Sequence, residues 1–227
     1  MVSVELVGGL VIALAGMSIV GVGVDRYLPA VDDPRADLLV SDLSKWAVFL
    51  LLCGYVVAVE GRPLSSLSGR SLDPLSFVVV VGGGLLVLLT ASVATAPLFD
   101  RFGVGDLGEE LSELAVLSRP QRIFVALTAG VTEEALFHGY AIERLLEATG
   151  SPLLAGTISF AAFTAGHAMG WNRGAVVRIA VPALLTTVMY LLVRDVVALM
   201  AIHALNDAAG LLLVRSVSDT AAEESTQ

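Results

Sequence analysis

Residues 128–140 read TAGVTEEALFHGY, and this stretch decides the fold. It lies inside a long apolar run, yet Glu133, Glu134 and His138 stand where a membrane-crossing helix ordinarily carries Leu or Val. A charge at the centre of such a helix costs roughly 2.5–3.5 kcal/mol on insertion scales, so an ionisable group at that depth marks a functional site by default.

The surroundings are those of a membrane protein. Of 227 residues, 56% are hydrophobic, and they are gathered in long uncharged blocks, more than a soluble core of this size uses. The expected fold is all-α, a polytopic transmembrane helical bundle. A span needs about 20 residues of helix. Working outward from 128–140, the uncharged blocks predict about seven spans: 6–24, 46–59, 75–98, 123–148, 153–171, 176–193 and 196–214. The second is short and is extended backwards through 38–44. The first block lacks a basic leader and a small-residue cleavage site, so it is expected to be a retained span.

Between the third and fourth spans, Leu107, Leu111, Leu114 and Leu117 share one helical face, with Glu109, Glu110 and Glu113 mostly off it. That pattern predicts a short amphipathic helix lying at the interface. Ser118, Pro120 and Gln121 then form a helix start with a capping box. Gly150, Ser151 and Pro152 end one helix and begin the next. Three regions are expected: N-terminal spans and loops over 1–120, a core with the polar motifs over 121–214, and a disordered tail over 215–227.

Net charge is −9, from 22 acidic and 13 basic residues, which argues against a nucleic acid partner. Cys53 is the only cysteine, which excludes an intramolecular disulfide and a cysteine-ligated metal site within one chain. Alternating the loops from an outside N-terminus places nine of the Lys and Arg residues inside, Lys45 among them, and four outside. The expected orientation is N-terminus outside and C-terminus cytoplasmic, in the cell membrane.

The three histidines, His138, His167 and His203, fall in three separate predicted spans. Glu134 and His138, Phe163 and His167, and His203 and Asp207 are each four residues apart, and Asn206 lies three after His203. Such pairs share a helix face. Three polar faces on apolar helices avoid lipid only by facing one another or a water-filled cavity. A desolvated carboxylate beside an imidazole is suited to water activation, and an opposing His, Asn or protonated Asp to oxyanion binding. Three His and a Glu are also legitimate zinc ligands, although the H-E-x-x-H order is absent. A non-catalytic protein can use the same cluster for proton or cation transport, or for binding a partner.

The ordered trio Glu133-Glu134-Ala-Leu-Phe-His138, Phe163-Thr-Ala-Gly-His167 and His203-Ala-Leu-Asn-Asp207 resembles the CAAX prenyl-protease and bacteriocin-processing family of intramembrane proteases. Phe137 and Gly139 also match the usual surroundings of its first motif, and the likeness covers roughly residues 121–213. The resemblance implies an intramembrane endopeptidase. In it, Glu133 and His167 activate water, His203 and Asp207 form the oxyanion side, and Glu134 supports the site. His138, Phe163 and Asn206 are supporting residues. The implied partners are the lipid bilayer and a peptide or protein substrate, lipidated in the family's best-known target class. A mechanism without metal is expected. The zinc alternative uses Glu134, His138, His167 and His203. The family's first motif usually ends in Arg where this chain has His138, and Arg brings a permanent charge and five donors that His lacks.

Overall fold

The computed structural model describes residues 3–27, 33–105 and 114–213. Every regular element among them is helical. We label them α1 (Val4–Tyr27), α2 (Pro34–Ala58), α3 (Pro74–Arg101), α4 (Arg119–Glu133), a π-helical segment (Glu134–Ile142), α5 (Glu143–Thr149), α6 (Pro152–His167), α7 (Arg173–Val193) and α8 (Val196–Leu213). Short 3₁₀ turns occupy Leu64–Leu67 and Leu114–Val116.

By length and composition, five of these helices can cross a membrane: α1, α2, α3, α7 and α8. With their apolar side chains largely turned outward, they make this an integral membrane protein. The expected fourth span is one continuous run, α4 through the π segment to α5, and the expected fifth is the 16-residue α6. Helix α2 is longer than the uncharged run 46–59 suggested, because it begins at Pro34, behind an Asp33 side chain that accepts from the Arg35 N–H at 3.0 Å. Lys45 thereby lies within a helix and not in a loop. Of the expected interfacial helix, residues 107–113 lie outside the described residues, and Leu114–Val116 is a single 3₁₀ turn. The tail over 215–227 also lies outside them.

Helix boundaries follow local chemistry. The Ser118 and Gln121 capping box opens α4. Gly150 closes α5 at φ 65°, and the Ser151 hydroxyl accepts from the Leu154 N–H to open α6. Asp195 opens α8 by accepting from Ala198 N–H at 3.0 Å, while its other oxygen accepts from Leu72 N–H at 2.7 Å. That second bond ties the loop after α2 to the α7–α8 turn.

The core sits around the π segment, all of whose residues are buried. Ala135, Leu136, Phe137, Tyr140 and Ala141 pack with Ala13 of α1 and Val48, Leu52 and Val56 of α2. A second cluster joins Ile142 and Leu145 to Ala155, Tyr190, Val196 and Leu199. The N-terminal helices therefore close directly over the segment that carries the carboxylates. On its other side, α4 lies against α8 so tightly that a Cβ on Gly130 would sit 2.7 Å from Ala204 N. Of the glycines at 82–84, only Gly84 serves close approach, facing the Ile202 side chain of α8.

Candidate active site

The site begins where α4 turns into the π segment. Backbone bonds from i to i+5 widen a helix and are rare, usually marking functional sites. Here the change falls between Glu133 and Glu134. The two adjacent carboxylates serve different partners. Glu133 is held by α2, where Lys45 Nζ donates to Oε1 at 3.1 Å. Glu134 is held by the π segment and α8: His138 Nδ1 lies 2.6 Å from Oε2, and His203 Nδ1 lies 2.7 Å from Oε1.

The Glu134–His138 pair is almost wholly enclosed. Its approach is off the ideal hydrogen-bond angle, and neither Oε2 nor Nδ1 has another hydrogen-bond partner. Thr187 Oγ1 donates to Ala183 O at 2.8 Å, so it accepts from His138 Nε2 at 3.0 Å. Nε2 thus carries a hydrogen. At 2.6 Å, Glu134 and His138 form an ion pair when the imidazole is protonated. His138 is in this way the close, enclosed neighbour of Glu134.

His203 lies between two carboxylates, Glu134 at Nδ1 and Asp207 at Nε2, the second contact being a longer 3.3 Å. Asn206 Nδ2 also reaches Asp207, at 3.4 Å. His167 ends α6 with Nδ1 donating to Phe163 O at 3.0 Å, which leaves Nε2 as its open nitrogen. Its ring is set by Phe163 at 4.4 Å and Trp171 at 5.1 Å, and Phe163 in turn stands edge-on to Phe137 at 5.3 Å. Both His167 and His203 lie within electrostatic reach of Glu133. The structure therefore brings Glu133, Glu134, His138, Phe163, His167, His203, Asn206 and Asp207 to one region.

Sequence reasoning missed three contributors. Lys45 was counted as a loop charge, although a lone lysine flanking an apolar run is a signal of the same kind as the glutamates. Trp46 Nε1 donates to Thr128 Oγ1 at 3.0 Å, which fastens α2 to α4 one turn before Glu133. Thr187 has no signal in the sequence, because a threonine in an apolar helix ordinarily bonds its own backbone.

Both oxygens of Glu134 face imidazole nitrogens at hydrogen-bond distance, while His167 keeps Nε2 open. Among the described residues, no three His, Cys, Asp or Glu side chains are placed to hold one ion.

Fold and site together define a helical membrane protein with a buried carboxylate–imidazole centre. Residues 116–209 match the family model described as Type II CAAX prenyl endopeptidase Rce1-like. All three motifs lie in the matched segment, so the likeness to that family falls on the part of the chain that carries the site. No curated protein and no solved structure matches the chain.

Proposed function

We propose that the chain is an intramembrane endopeptidase that hydrolyses a peptide bond of a membrane-associated substrate with water activated by Glu133. The observation that carries this reading is the placement of Glu133. It is a buried carboxylate with one oxygen held by Lys45 and two imidazoles within electrostatic reach, inside the segment matched to the endopeptidase family.

The chemistry needs a base, an oxyanion site and a route for water. Glu133 takes a proton from water as the oxygen attacks the scissile carbonyl, and returns it to the amine as the C–N bond breaks. His167 Nε2, left open by the bond from Nδ1 to Phe163, orients that water. His203 Nε2 and the Asn206 amide rest on Asp207 through contacts of 3.3 and 3.4 Å. Contacts that long are weak, so both donors can turn to the oxyanion at little cost. Glu134, bonded to His138 and His203, fixes the ring that does this. The Asp207 and Lys45 side chains are 31% and 27% exposed against 7% for Glu133, so the site is most open beside them.

The substrate class follows from the family description alone: a lipidated C-terminal peptide is the first to try, beside signal peptides and transmembrane peptides. The orientation that goes with this reading is N-terminus outside and C-terminus cytoplasmic. The paired donors favour water activation without metal. The test is cleavage of these peptides by the purified protein, read by mass spectrometry with and without a strong zinc chelator. Cleavage that persists under chelation is expected. Failure on every class would sink the endopeptidase reading, and loss under chelation with recovery on added zinc would sink the metal-free one.

A further inference from the structure

We propose that Lys45 is a positioning residue of the active site, contributed by the N-terminal half of the chain. This rests on the endopeptidase reading of Glu133. Lys45 lies near the middle of α2, well outside the matched residues 116–209, so the family match assigns it nothing. Its ammonium reaches across to α4 and donates to Glu133 Oε1 at 3.1 Å. It is the one hydrogen-bond partner of Glu133 among the described residues, which leaves Oε2 for water.

Three further features argue that the contact is built. Trp46, the next residue, is bonded to Thr128 at 3.0 Å and stands edge-on to Phe49, so the register of α2 against α4 is fixed beside the lysine. Asp42, one turn earlier on α2, is buried and within electrostatic reach of Lys45, as is Asp207 of α8. The lysine thus has carboxylates of three helices within electrostatic reach. Finally, the lysine is the more open member of the pair. Lys45 is 27% exposed, against 7% for Glu133. The lysine pins Oε1 and keeps Glu133 a carboxylate between turnovers, with its second oxygen aimed at the water.

The test compares the full-length wild type, Lys45→Met, Lys45→Arg, Glu133→Gln and the Lys45→Met/Glu133→Gln double variant, by cleavage kinetics and by thermal melting in detergent. Lys45→Met should lower kcat at least tenfold with KM within about twofold, since substrate contacts are kept and only the base is misplaced. Lys45→Arg should restore most of kcat, which a lysine that only packs would not require. Lys45→Met should also melt below the double variant, because it alone leaves a buried carboxylate unpaired. Wild-type kcat in a folded Lys45→Met protein overturns the proposal. If the wild type cleaves no peptide, the endopeptidase reading fails by itself. The melting cycle then decides on the pair: strictly additive shifts overturn it, and coupled shifts uphold it.

Discussion

Replacing Gly130 by Ala adds one methyl group at the tightest point between α4 and α8. That Cβ would meet Ala204 N at 2.7 Å, Ala204 Cβ at 2.8 Å and Met200 O at 2.9 Å. Ordinary contacts are about 3.5–4.0 Å, so the helices must part by roughly 0.7–1 Å. Two of the three atoms are backbone, which no rotamer change can move aside. Gly130 lies one turn before Glu134, and Ala204 follows His203. Parting the helices therefore stretches the 2.7 Å bond between Glu134 Oε1 and His203 Nδ1 to the limit of a hydrogen bond. Overpacking costs about 1–3 kcal/mol, and the gain in helix propensity from Gly to Ala returns about 0.8–1.0 kcal/mol. Stability should fall by no more than about 2 kcal/mol. Activity should suffer more, because a misplacement of about 1 Å at a catalytic group costs on the order of 100-fold. The assay is kcat for peptide cleavage beside thermal melting of the same preparation. A folded Gly130→Ala variant with wild-type kcat would refute the claim that α4–α8 spacing sets the site.

Two other predictions concern the Glu134–His138 pair and a helix cap. His138→Ala leaves Glu134 with a bare buried oxygen, and should destabilise the protein by about 3–5 kcal/mol, measured by denaturant or thermal unfolding in detergent, whereas Thr187→Val should cost less because His138 keeps its carboxylate. An unchanged melting temperature in His138→Ala would contradict the pairing. Asp73, exposed at the start of α3, has its carboxyl held below its ordinary value of 3.8 by the Ser76 hydroxyl and then by backbone N–H groups. A lowered carboxyl pKa stabilises the fold above the ordinary value, and the effect is lost as pH falls through the folded one. The gap in melting temperature between wild type and Asp73→Ala should therefore close as pH drops below 3.8, and a gap that widens there would contradict it.

Much of the fold was legible because apolar blocks and caps are local signals. Ser118 with Gln121, and Gly150 with Ser151, act within one turn of chain, and the structure places helix ends there. The convergence of His138, His167 and His203 was legible for a different reason: polar faces on apolar helices have few places to go. Long-range register was not legible. Nothing near Lys45 says that it meets a residue 88 positions away, and its place at the edge of an uncharged run read as a loop. The π segment was hidden too, since its residues suit an α-helix equally well and only packing selects the wider turn. Thr187 became visible only once Pro182, Ala183 and the buried face of α7 were set against the π segment.

The central claim is that Glu133 activates the attacking water, and replacing that carboxylate by its isosteric amide tests it most directly. Glu133→Gln keeps size and shape and removes the base. Purified variant and wild type should be assayed side by side on a cleaved peptide, with melting curves to certify the fold. The account predicts a loss of at least about 100-fold in kcat in a folded variant, the lower end of what a general base contributes. Cleavage by Glu133→Gln at the wild-type rate would contradict it.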